Sequence, residues 1–193
     1  VKFCAFSGLA ISDDGGKTFE RYSEVPVMDR SPKGRYGRCI HTVLYEDGEF
    51  KCYYAMINGW KKIKGIFYPI YNIWYTTSSD GMNFLKEDSC LCVDTEGEEY
   101  RIGRPKVYKT HDGYEMYYTR DLVSKEYLVG YATSKDGVHW VREDNKAGLQ
   151  KSQEGWDSEM ACYPVKLATD YGEYLFYNGN GMGKTGVGYA RLE

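Results

Sequence analysis

Apolar and polar residues alternate along this chain in short runs, and Gly-, Asp- and Ser-containing turns separate the runs. A period of two with such punctuation predicts β-strands rather than helices. Residues 42–45 and 50–55 flank Asp47-Gly48, residues 106–109 and 114–119 flank Asp112-Gly113, and residues 161–167 and 174–177 flank Tyr171-Gly172. Each set reads as a hairpin. No long helical pattern interrupts them, so the chain reads as all-β.

A second motif repeats between the hairpins. Ser12-Asp13-Asp14-Gly15-Gly16-Lys17-Thr18-Phe19 matches Ser78-Ser79-Asp80-Gly81-Met82-Asn83-Phe84 and Ser134-Lys135-Asp136-Gly137-Val138-His139-Trp140. Each copy is a Ser-x-Asp turn, with Gly for the left-handed position, between a strand and an aromatic that opens the next one. Both motifs return after about sixty residues, and a unit of that size with four short antiparallel strands is a propeller blade. Residues 1–193 then form one β-propeller domain. Blades run over 36–93 and 101–149, with part-blades at 1–35 and 150–193. Two blades and two part-blades leave sheet edges open. This predicts a partial ring that lacks N-terminal blades, or association between copies of the chain. Residues 58–71, rich in Gly, Lys and aromatics, read as an irregular excursion over one mouth of the ring.

Composition narrows the function. A formal net charge of -3, with Lys61-Lys62-Ile63-Lys64 the nearest thing to a basic cluster, argues against a nucleic-acid partner. No apolar run approaches the roughly 20 residues of a membrane span, and no signal-peptide pattern is present. The chain does not begin with Met, so an upstream leader stays open. Six Cys lack ligand-like spacing and only three His occur, so neither a metal nor another cofactor is expected, and the thiols read as reduced in a cytoplasmic protein. Twenty Tyr suit sheet faces and sugar-binding clefts alike.

In a propeller the innermost strands start at one mouth of the central channel. The residues at those starts here are Arg38 with His41, Arg104 with Pro105, and Glu159 with Asp157. Glu159 is the candidate general acid. Apolar Met160 and Trp156 beside it favour its neutral form and guanidinium groups its charged form, a balance the sequence leaves open. Arg38 and Arg104 offer rigid forks for sugar hydroxyls or a carboxylate; the alternative is that they form structural ion pairs. Tyr36 and Tyr163 stack on a sugar ring or pack. His41 faces the channel or the blade interior according to register. Asp157 reads as a turn residue at the edge of the same site. Asn178 and Asn180 read as loop amides free to recognise hydroxyls, and Arg120-Asp121 as a surface ion pair. Glycoside hydrolysis ordinarily takes two carboxylates; with Asp157 read as a turn residue, Glu159 is the single candidate at a strand start, so in a hydrolase the second is expected on the missing blades.

The Ser-x-Asp-Gly turns, together with Gly155-Trp156-Asp157-Ser158-Glu159-Met160 and Tyr177-Asn178-Gly179-Asn180-Gly181-Met182-Gly183, resemble five-bladed propellers of the arabinanase, levansucrase and invertase type. These are glycoside hydrolase families 43, 62, 32 and 68, and they include uncharacterised bacterial members often associated with surface-polysaccharide genes. The likeness covers essentially the whole chain as the later blades. It implies a carbohydrate substrate and matches Glu159 by position to the family's proton donor; the family's base Asp, on the first blade, has no counterpart here. Residues 12–19 also resemble the Asp-box of sialidases, whose arginine cluster would give Arg38 and Arg104 another meaning. The expectations are therefore a glycosidase, a non-catalytic carbohydrate-binding propeller, or a structural propeller.

Overall fold

The computed structural model describes residues 3–84, 89–124 and 126–192. The chain divides into two compact units, Val1–Leu91 and Cys92–Glu193.

In the first unit, β1 (Ala5–Phe6) precedes a small antiparallel pair, β2 (Ala10–Ile11) and β3 (Glu20–Arg21). The main sheet adds β4 (Gly37–Glu46), β5 (Glu49–Ile63), β6 (Ile66–Ser78) and β7 (Cys90–Val93) in the order β1-β4-β5-β6-β7, with β1 parallel to β4. β5 is central and is buried from Cys52 to Ile57 on both faces, which is why that run is continuously apolar rather than alternating. Met28, Cys52, Tyr54, Met56, Trp74 and Phe84 form the core.

The stretch 58–71 is not irregular. β5 and β6 run through it as one long hairpin closed by Lys64 and Gly65, whose φ values of 47° and 84° are both left-handed. Two successive left-handed residues make the tight turn whose twist matches paired strands, here written Lys-Gly instead of the commoner Asn-Gly. Asp47 and Gly48, at φ 54° and 81°, close the β4–β5 hairpin in the same way.

The second unit holds two sheets. β8 (Glu99–Thr110), β9 (Gly113–Leu122), β10 (Tyr127–Ser134) and β11 (Trp140–Arg142) form an antiparallel sheet in the order β11-β10-β9-β8. β12 (Cys162–Thr169), β13 (Gly172–Asn178) and β14 (Val187–Arg191) form the other. Tyr117, Val129, Ala147 and Leu175 are the core between them, with Tyr108, Tyr131, Leu149 and Leu192 packed around it. Polar links join the sheets at intervals: the Lys166 N–H donates to the Tyr108 hydroxyl at 2.7 Å, and the Tyr163 N–H donates to Thr119 Oγ1 at 2.9 Å.

The Ser-x-Asp turns form as expected. In each, the Ser hydroxyl donates to the Asp carboxylate and the carboxylate accepts the following backbone N–H groups, as Asp136 does from Val138 and His139 at 2.8 Å. Gly81 and Gly137 supply φ of 69° and 77°. Asp14, Asp80 and Asp136 are all held well below the usual carboxylate range by these bonds.

Candidate functional site

The strands that begin each hairpin, β4, β8 and β12, share one irregularity. Their ladders slip between Ile40 and Thr42, between Gly103 and Lys106, and between Cys162 and Val165. An extra residue in one strand leaves a group unpaired and re-aims a side chain. In the second unit the bulged residues are Arg104 and Tyr163, each with φ 56° and each followed by proline. Proline has no N–H to give to a ladder, so it settles at bulges. Left-handed backbone at a non-glycine residue is costly and concentrates at functional sites.

The two bulges bring their side chains together. The Arg104 guanidinium lies 4.0 Å from the centre of the Tyr163 ring. Arg104 is exposed and, among the described residues, has no carboxylate partner, while Tyr163 is half-buried. Burial pushes the Tyr163 hydroxyl up and Arg104 opposes it. Burial likewise pushes the neighbouring Cys162 thiol up to about 12.

Behind this pair lies a buried charged layer. Tyr127 meets the Tyr163 ring edge-on at 6.3 Å, and Arg101 sits over Tyr127 and donates to its hydroxyl. Arg101 also pairs with Asp121, which is 2% exposed and accepts from the Tyr100 hydroxyl. Asp121 and Arg120 are therefore not a surface pair. Adjacent residues on a strand face opposite ways, so Asp121 turns inward to Arg101 and Arg120 turns to Glu99 at 2.6 Å. Glu99 further accepts from Arg142 Nη1 and Nη2 at 3.0 and 2.8 Å. Burial pushes the Glu99 carboxyl up, but the bonds from Arg142 and Arg120 outweigh it and hold the group below its ordinary value. At Asp121 burial wins over Arg101 and the carboxyl is raised. Arg101, Glu99 and Tyr127 were not among the residues picked out from sequence, and Asp121 was read there only as half of a surface pair; the hairpin register is the signal that could have found the layer.

Glu159 lies on the loop ahead of β12. It is exposed, and among the described residues its carboxylate makes no ion pair or hydrogen bond. Its backbone is fixed: Asn180 Oδ1 accepts the N–H groups of Glu159 and Met160 at 2.7 and 2.9 Å, and Asn180 Nδ2 donates to the Gly155 carbonyl at 3.1 Å. The amides expected to be free are thus occupied, since the Asn178 Nδ2 also donates, to the Met182 carbonyl at 3.1 Å. Asp157 sits in a turn and is 3% exposed, with Oδ2 accepting from the Tyr177 hydroxyl at 2.9 Å. That bond and, above all, burial push Tyr177 up to about 12.

The other three residues picked out belong to the first unit. Arg38 is fully buried; Nη1 donates to the Asp29 carbonyl at 3.1 Å and Nη2 to Ser89 at 3.4 Å, and the group lies over Tyr54 at 5.1 Å. Among the described residues it has no carboxylate partner. Tyr36 is half-buried, its carbonyl accepting from the Ala5 N–H at 3.0 Å. His41, also half-buried, is the bulged residue of β4. No group of His, Cys, Asp and Glu among the described residues could hold a metal ion.

No family model matches this chain. An uncharacterized protein of Mycobacterium tuberculosis is 30% identical over 187 residues, covering 96% of this chain and 60% of its own length. A 1,2-beta-oligomannan phosphorylase of Thermoanaerobacter is 28% identical over 158 residues, covering 79% of this chain and 51% of its own. The chain thus spans between about half and 60% of these relatives. The solved structure of a thermostable family-43 glycoside hydrolase superposes with a TM-score of 0.73 at 18% identity, over 96% of this chain and 62% of that one. At that identity the likeness is one of fold, and the fold is an all-β propeller.

Proposed function

We propose that this chain is part of a protein that binds a carbohydrate and cleaves its glycosidic bond, with Glu159 donating the proton to the departing oxygen. Arg104 and Tyr163 form the sugar-binding face. The observation that carries the proposal is the Arg104–Tyr163 pair. An exposed guanidinium with no carboxylate partner among the described residues, held on an aromatic ring by two strained residues, is a preformed partner for ligand oxygens. The relative named as an oligomannan phosphorylase and the fold shared with glycoside hydrolases support the carbohydrate class.

The relative also favours one acceptor over another. A hydrolase needs a second carboxylate to activate water or attack the sugar. Phosphate is itself a nucleophile, so a phosphorylase needs only the proton donor, the role proposed here for Glu159. The sugar–oxygen bond breaks, its electron pair and the Glu159 proton leave on the departing hydroxyl, and phosphate oxygen bonds the anomeric carbon.

The test is release of mannose from β-1,2-mannobiose by the full chain, with and without inorganic phosphate. We expect phosphate-dependent turnover that Glu159→Gln removes while mannobiose binding persists. Unchanged turnover by Glu159→Gln overturns the acid assignment. Binding with no mannose released under either condition would instead mark a non-catalytic carbohydrate-binding propeller.

A further inference from the structure

The loop 155–160 and the turn 179–186 are built as one body. The Asn180 N–H donates to the Trp156 carbonyl at 2.8 Å, and Thr185 Oγ1 donates to the same carbonyl at 2.6 Å. The Asn180 side chain closes the rest, receiving two successive N–H groups on Oδ1 and donating from Nδ2 to the Gly155 carbonyl and, at 3.4 Å, to Ser158 Oγ. The Trp156 ring lies stacked on Tyr177, at 5.4 Å and 27°, over a bed formed by Gly179 and Gly188, where any Cβ would overlap the indole. The Glu159 side chain is exposed on this body, as is that of Lys184 on the turn.

From this the geometry points to Asn180 as a positioning residue for Glu159: its side-chain amide, rather than touching substrate, sets the backbone from which the acid is presented. The inference rests on Glu159 being the proton donor. A loop residue free to wander would have to be ordered at each turnover, and a displacement of about 1 Å at a catalytic group can cost roughly a hundredfold in rate. Satisfying the N–H groups of Glu159 and its neighbour from a side chain anchored on another segment removes that freedom beforehand. Asn suits the task because one carbonyl oxygen has two lone pairs for the two N–H groups while its NH2 donates in the opposite direction.

The experiment compares two substrates in the full chain. β-1,2-mannobiose leaves as an alkoxide and needs the proton; 2,4-dinitrophenyl β-mannoside leaves as a stabilised phenolate and does not. For Asn180→Ala we expect kcat on mannobiose to fall about a hundredfold, with KM within about threefold and dinitrophenyl turnover nearly intact. Asn180→Asp, which keeps the acceptor oxygen, should recover at least about tenfold of that loss. If Asn180→Ala does not fold, Asn180→Ser, too short to span both N–H groups, takes its place. Equal loss on both substrates, absence of rescue by Asp, or wild-type kinetics each overturns the inference. Glu159→Gln in the same assay separates the two ideas. If it keeps mannobiose turnover, the acid assignment falls and this inference with it; if it loses turnover while Asn180→Ala does not, this inference alone falls.

Discussion

The guanidinium of Arg104 stands 4.0 Å over the ring of Tyr163, and both residues hold a left-handed φ of 56° immediately before a proline. The backbone cost at each is about 1–2 kcal/mol, and an exposed cation–ring contact returns about 0.5–1 kcal/mol. Arg104→Gly removes both terms and should shift the thermal midpoint by no more than about 2–4 °C. Arg104→Ala loses the contact yet keeps most of the strain, so it should melt below Arg104→Gly. Calorimetry gives the order, and the reverse order would mean that the left-handed backbone is not strained.

Asp121 is a different case, because it is 2% exposed and shares its layer with Arg101. Asp121→Asn leaves a buried guanidinium without its anion, which costs about 3–5 kcal/mol. Urea unfolding should show that loss, and Arg101→Met combined with Asp121→Leu should recover a large part of it. A single variant as stable as the parent would remove the pair from the fold's support.

Two of the buried carboxylates, Glu99 and Asp121, have opposite acid responses. Glu99 is held below its ordinary 4.5, so its contribution is complete above that value and is lost as pH falls toward the folded one. Asp121 is raised above its ordinary 3.8; its contribution is present below that value and is lost as pH rises through the folded one. Glu99→Gln should therefore flatten the fall in thermal midpoint below pH 4.5, and Asp121→Asn should steepen it.

Gly188→Ala sets a methyl group against the Trp156 indole. Such overpacking costs about 1–3 kcal/mol. The expected signs are a lower thermal midpoint and a shifted Trp156 emission as the ring lifts from Tyr177. An unchanged midpoint and spectrum would mean that the indole has room to move.

Sequence periodicity reached the all-β class, the hairpins and the Ser-x-Asp turns, since each rests on local chemistry that the residues spell out. The Lys64-Gly65 hairpin escaped because a Lys in the left-handed position carries no turn signature of its own. The buried layer escaped for a reason of register. Counting back from the Asp112-Gly113 turn along an unbroken ladder sets Arg101 opposite Leu122, whereas the bulge at Arg104 sets it opposite Asp121. A one-residue slip exchanges the two faces of a strand, so a lone left-handed residue conceals which charges meet. Asn180 was noticed for its amide, but a side chain answering to a backbone 21 positions away leaves no periodic trace.

The bulges on β8 and β12 also bear on how such a protein can change over generations. On either side of a slipped position the alternation of inward and outward side chains starts afresh, so the head of the strand and its body are separate vocabularies joined by one irregular letter. A new residue at 104, which is exposed, is met by the Tyr163 ring, whereas one at 163 is also met by Tyr127 of the buried layer. Under the proposed function, descendants of this chain can revise what position 104 recognises with little change to the interior.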